Sequence, residues 1–209
     1  ENTGDPAVRR AYGRLCGLVG IGLNLLLFGG KLFAGTVSGS VAVTADAFNN
    51  LSDAGSSVVT LLGFQLAGKK PDLQHPFGHG RYEYISGVVV AALVLLAGAE
   101  LAKSSFEKIL HPQTVSFTAL TLVILLLSIG AKLWMAGFNR KLSKLIGSKT
   151  LEATSQDSRN DVITTSAVLL SFLADTLFHI QLDGFVGLGV SLFILWSGIS
   201  LAKNTIDPL

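Results

Sequence analysis

Asn49 and Asp53 stand four residues apart, and so do Asp157 and Asp161, each pair inside a stretch otherwise apolar enough to cross a bilayer. On an α-helix, residues i and i+4 share a face one turn apart, so each pair sets two oxygen-bearing side chains on one surface. A mid-helix Asp in hydrocarbon costs roughly 2.5 to 3.5 kcal/mol even on the lenient insertion scale, so these carboxylates need a compensating partner. A dication fits the pattern: two facing helices would offer four oxygen donors around one point, the start of a site for a hard metal ion. The rival account gives each polar residue its own partner, as a helix cap, a water-facing group or half of an ion pair with Lys or Arg. A single Asp fits that account, whereas two matched pairs on separate segments fit the metal better.

Further side chains bear on this chemistry. Asp46 stands one turn before Asn49 on nearly the same helical face, either as an outer-mouth ligand or, the expectation here, as a water-facing residue near the helix start. Asp72, His75 and His79 gather in one polar loop, and such sets bind Zn²⁺ or another borderline metal about as readily as they stay exposed. Arg159 lies about 200° around the helix from both Asp157 and Asp161, which points it away from the pairs. His111 and His179 are isolated and read as exposed.

The elements that must position these residues follow from composition. Of 209 residues, 49% are apolar and 14% charged, with a mean hydropathy of +0.55. That is too apolar for a soluble domain and sufficient for several membrane spans. A single cysteine, Cys16, excludes an internal disulfide and a thiolate metal cluster. Six apolar runs can each cross about 30 Å as a helix: Leu15–Ala34, Val41–Ala67, Ile85–Ala102, Phe117–Phe138, Ala153–Ala174 and Phe185–Ala202. Short connections make neighbouring helices antiparallel, which lets the two pairs match in depth. An open sheet is excluded, because its edges would stay unpaired in lipid.

Orientation follows from the cations. Arg9, Arg10, Arg14, Lys69, Lys70, Arg81, Arg140, Lys141, Lys144, Lys149 and Lys203 fall on one side of a six-span arrangement, against Lys103 and Lys108 on the opposite side. By the positive-inside rule, both termini are cytoplasmic. Lys31 and Lys132 lie within runs but near enough to their ends to snorkel to the headgroups. The expectation is an all-α membrane protein, a six-transmembrane-helix bundle over residues 1–209. The chain begins at Glu1 with no basic n-region and cleavage site, so no signal peptide is expected and the chain reads as trimmed.

Three motifs in order, Ala45 through Asp53, His75-Pro76-Phe77-Gly78-His79-Gly80-Arg81, and Asp157-Ser158-Arg159-Asn160-Asp161, resemble the transmembrane domain of the cation diffusion facilitator family, in its manganese and iron subgroup. The resemblance covers almost the whole chain. It implies a homodimeric, proton-coupled exporter of divalent metals in a cell membrane, for a bacterium the plasma (inner) membrane. It places the transport site on Asn49, Asp53, Asp157 and Asp161, and a secondary cytoplasmic site on Asp72, His75 and His79. Zinc carriers of the family usually put His in at least one of the four transport positions. Here all four are oxygen ligands, which points to Mn²⁺ first, with Fe²⁺ and Zn²⁺ as alternatives. Family members usually continue into a cytoplasmic domain, and this chain ends where that domain would begin. The resemblance also sets Arg81 near Asp207 across a dimer.

Alternating access would expose the four-oxygen site to each side in turn, with protons exchanging for metal on the carboxylates as a coupled set. No enzymatic role, prosthetic group or nucleic-acid partner is expected; the partners are the metal, protons, membrane lipid and a second copy of the chain. An intramembrane aspartyl protease is the enzymatic rival, but four acceptors in i, i+4 pairs exceed what an acid/base dyad needs. The non-enzymatic rivals are a cation channel, since rings of Asp also select cations, and a non-transporting metal sensor.

Overall fold

Segments this long and apolar satisfy their backbone groups internally only as helices, and in the computed structural model the described residues form six of them. Residues 6–66, 80–116 and 118–206 are described. The helices are α1 (Pro6–Ser38), α2 (Val41–Leu66), α3 (Gly80–Leu110), α4 (Ala119–Ile146), α5 (Lys149–Phe178) and α6 (Asp183–Ile206), with no strand among the described residues. Five of the six are long and apolar enough to cross a membrane. The exception is α2, whose 26 residues are long enough but include Asp46, Asn49, Asn50, Ser52 and Asp53. All six helices extend past the apolar runs or match them to within a few residues, because helical hydrogen bonding continues into the polar flanks.

Two tight hairpins use the same dipeptide. Between α1 and α2, Gly39 takes a left-handed φ of 69°, and Ser40 then accepts from the Val43 amide at 3.0 Å to cap the next helix. Between α4 and α5, Gly147 adopts a left-handed φ of 62°, donating its N–H to the Ser143 carbonyl, and Ser148 accepts from the Leu151 amide. Glycine supplies positive φ without a Cβ clash, and serine satisfies an otherwise unpaired helical N–H. Each hairpin therefore turns its chain back on itself within two residues.

The helices pack most extensively as α1 on α2, α3 on α6 and α4 on α5, and α2 also touches α3, α5 and α6. Close approach of α1 to α2 depends on Gly35, where a Cβ would lie 2.9 Å from the Thr44 amide nitrogen. At the end of the bundle away from the termini, Asp183 at the start of α6 accepts from the Val41 amide and from Lys108 of α3, each at 2.8 Å, and also from the Ser40 hydroxyl. Lys108 further donates to the Gly39 carbonyl at 2.6 Å. One carboxylate thus ties the α1–α2 turn to α3 and α6.

Burial differs from that of a soluble protein in that large apolar side chains cover the outside while charged ones lie inside, beside an apolar core that includes Leu125, Phe172 and Ile194. Leu26, Leu93, Leu96, Leu127, Ile163 and Trp196 are exposed, whereas Asn24, Lys31, Asp46, Asn49, Lys132 and Asp161 are buried. Apolar side chains outward and polar ones inward is the arrangement hydrocarbon imposes, since intramembrane polar groups must face the bundle interior.

Candidate functional site

The polar interior is assembled at two levels by α1, α2, α4 and α5. On the lower level, nearer the termini, α2 and α5 bring Asn49 and Asp161 together: the Asn49 amide donates to Asp161 Oδ1 at 2.8 Å. The second oxygen of Asp161 accepts from Lys132 Nζ of α4 at 2.6 Å, and the same ammonium donates to Asp53 Oδ2 at 2.7 Å and to Asn24 Oδ1 of α1 at 2.8 Å. Four helices therefore converge on one ammonium. Its three N–H donors meet three acceptors.

A cavity of about 390 Å³ leads to this point. Gly13 and Cys16 of α1, Thr150 and Thr154 of α5 and Ser200 of α6 line its outer part, so it lies toward the end that carries both termini. Asn24, Asp53, Lys132 and Asp161 line it farther in. Asp157 also lines the cavity and is exposed, one turn along α5 from Asp161. Three of the four paired acceptors are thus linked through hydrogen bonds, and the fourth faces the same space. Among the described residues, no three carboxylate, imidazole or thiolate groups stand close enough to hold a metal ion. The cation between Asp53 and Asp161 is the lysine.

On the upper level, Lys31 of α1 pairs with Asp46 of α2 at 2.7 Å and donates to Thr165 Oγ1 of α5 at 3.0 Å. Thr165 in turn donates to Asp46 Oδ1 at 3.2 Å. Asp46 is therefore neither water-facing nor at an open mouth: it is fully buried and held by a lysine. The close α1–α2 hairpin carries Lys31 alongside it, which the pattern of α2 alone does not reveal.

Neither Lys31 nor Lys132 snorkels. Both are among the most buried side chains of the molecule, at 0% and 1% exposure. Both ammonium groups instead turn into the bundle, Lys31 to Asp46 and Thr165 and Lys132 to Asn24, Asp53 and Asp161, so neither needs to reach the headgroups. Asn24 carried no signal in the sequence, because a lone carboxamide in an apolar run has no spacing pattern. Arg159 is exposed, on the side of α5 away from Asp161, and His111 and His179 are exposed as expected. Asp72, His75, His79 and Asp207, and the side chain of Arg81, lie outside the described residues.

Known proteins are similar in sequence to this chain over most of its length. The model of the cation efflux transmembrane domain matches residues 17–209. An uncharacterized transporter of Methanocaldococcus jannaschii is 27% identical over 186 residues, which cover 89% of this chain and 66% of that protein. An uncharacterized transporter of Synechocystis sp. is 29% identical over 193 residues, covering 92% and 62%. The manganese efflux system protein MneP of Bacillus subtilis is 28% identical over 211 residues, covering 96% and 70%. The chain therefore spans about two-thirds of the length of these relatives.

Proposed function

Since the chain belongs to the cation efflux family, the cation diffusion facilitators, whose members are multi-pass membrane transporters and not enzymes, we propose that it exports divalent cations, Mn²⁺ foremost, in exchange for protons. The observation that carries this reading is the convergence of Asp53 of α2 and Asp161 of α5 on a single cation, at 2.7 and 2.6 Å, deep in a cavity of about 390 Å³. Two carboxylates from different helices that already share one positive charge are arranged to share another.

The transport site comprises Asn49, Asp53, Asp157 and Asp161, and closing α5 toward α2 would add Asp157 to the remaining three. An all-oxygen set suits Mn²⁺ over Zn²⁺ by ligand hardness, and the manganese efflux protein among the relatives is consistent with that preference. Fe²⁺ and Zn²⁺ remain the competing substrates. The three carboxylates and the Lys132 ammonium sum to a formal charge of −2, so one dication makes the site neutral. Metal binding requires deprotonated ligands, and protons therefore compete with the ion for the same oxygens.

We take all six helices as spans, with both termini cytoplasmic, so that the cavity faces the cytoplasm and the Lys31–Asp46–Thr165 level closes the outward path. Alternating access then requires the helices to rock until the opposite side opens. A homodimer in the plasma membrane, joined near Arg81 and Asp207, with a secondary site on Asp72, His75 and His79, completes the reading. Its test is flux of Mn²⁺, Fe²⁺ and Zn²⁺ into liposomes holding the purified protein, with and without a pH gradient. Accumulation of Mn²⁺ against its own gradient, driven by protons, supports an antiporter. Flux that only equilibrates the metal indicates a channel, and metal binding without flux indicates a sensor.

A further inference from the structure

The two buried lysines are not equivalent. Lys31 and Asp46 are fully enclosed, and neither lines the cavity. Lys132 stands in the cavity wall, and its carboxylate partners are two of the three that the transport-site reading assigns to the metal. An ammonium and a dication drawing on the same oxygens repel each other across a few Å with little water between them. The two cations must therefore occupy these carboxylates in turn.

We propose that Lys132 is a tethered counter-cation of the transport site, which holds the ion's place in the metal-free carrier, is displaced by a divalent ion, and excludes monovalent ones. This rests on the transport-site reading above. Asn24 supplies the position to which the ammonium withdraws. Its Oδ1 accepts from Nζ at 2.8 Å and belongs to neither acidic pair, so this bond survives when the metal takes Asp53 and Asp161. Selectivity follows from charge and tethering. A Na⁺ or K⁺ ion carries no more charge than the ammonium and must compete with a cation held at high effective concentration. A dication gains twice the Coulomb attraction to the same carboxylates. The ammonium also spares the metal-free site two unpaired carboxylates, so Lys132 positions Asp53 and Asp161 between transport cycles.

A purely structural lysine and a displaceable one respond oppositely to substitution. Calorimetric titration of the purified full chain with Mn²⁺ alone distinguishes them, with folding checked by thermal melting. Lys132→Gln and Lys132→Met remove the competitor. If the ammonium holds the site about nine-tenths of the time, the apparent Kd falls about tenfold. In these variants, replacing choline chloride by NaCl at equal ionic strength should weaken Mn²⁺ binding, whereas the wild type should be indifferent to the exchange. Lys132→Arg, whose planar fork grips two carboxylates more firmly, should raise the Kd.

Weaker Mn²⁺ binding by folded Lys132→Gln, or no new sensitivity to Na⁺, overturns the proposal. If neither neutral variant folds, Lys132→Arg decides: binding as tight as wild type or tighter overturns it. Asp157→Ala, which removes one of the four oxygen donors and leaves Lys132 and both its carboxylate partners in place, separates this failure from that of the site itself. Undiminished Mn²⁺ affinity in Asp157→Ala removes the four-oxygen reading, whereas its loss alongside weaker binding in Lys132→Gln removes only the counter-cation.

Discussion

Lys31 and Asp46 face each other across the α1–α2 hairpin with 2.7 Å between ammonium and carboxylate, and solvent reaches neither side chain. Taking two such charges out of water costs several kcal/mol per ion, and their attraction offsets this only while both are present. Lys31→Met or Asp46→Leu alone should therefore destabilise the protein by about 3–5 kcal/mol. The double substitution should recover most of that loss, because no unpaired charge remains. Chemical denaturation in detergent micelles checks both outcomes. A double variant no more stable than the worse single one would show that the pair's hydrogen bonds with Thr165, rather than charge balance, hold this level together.

The two acids of α5 should separate in what they do. Asp157 is exposed to the cavity, so Asp157→Ala should abolish Mn²⁺ flux while changing stability by no more than about 0.5 kcal/mol. Asp161 is buried and holds both Asn49 and Lys132. Asp161→Ala should abolish flux and also cost about 3–5 kcal/mol, the loss that follows breaking a buried pair. Liposome flux and melting curves on the same two preparations test this. Full transport by the Asp157 variant would remove that residue from the site.

Much of this organisation was legible in the chain. Six apolar runs gave the helices, since backbone in lipid has few other solutions, and the i, i+4 spacing picked out Asn49 and Asp161, which the structure joins at 2.8 Å. What the runs could not give was the partner of a buried charge. The acidic pairs suggested a missing cation, yet the chain supplies one itself from α4, whose Lys132 meets Asp53 across a separation of 79 residues that includes the whole of α3. Hydropathy windows also placed the end of the fourth run at the first basic residues, although helical hydrogen bonds persist beyond them. Long-range ion pairs of this kind depend on helix packing, and packing is not periodic in sequence.

Asn49 is the one neutral member of the acceptor set, and its carboxamide nitrogen is already committed to Asp161. Its oxygen is therefore the group left to face a metal. Asn49→His would exchange this weak donor for an imidazole, which zinc binds well, while a ring N–H can still donate to Asp161. Competition between Zn²⁺ and Mn²⁺ for binding should shift toward Zn²⁺ by about tenfold, the smaller end of what changes around a metal centre produce. An unchanged ranking would mean that ligand softness does not set the preference.

Asp183 concentrates the connections at the end opposite the termini, accepting from the Val41 amide, the Ser40 hydroxyl and Lys108. Asp183→Ala strips a partner from each, leaving a partly buried ammonium that still donates to the Gly39 carbonyl. The expected loss is about 3–5 kcal/mol. Asp183→Asn keeps a carbonyl oxygen for the Val41 amide and removes only the charge, so it should cost less, about 1–3 kcal/mol. Because the contacts of Asp183 fall on the Gly39-Ser40 turn, the Asn variant should speed amide hydrogen exchange in residues 39–44 before it affects the α4–α5 turn at Gly147-Ser148. Equal acceleration at both turns would mean that Asp183 supports the bundle as a whole and not the α1–α2 hairpin.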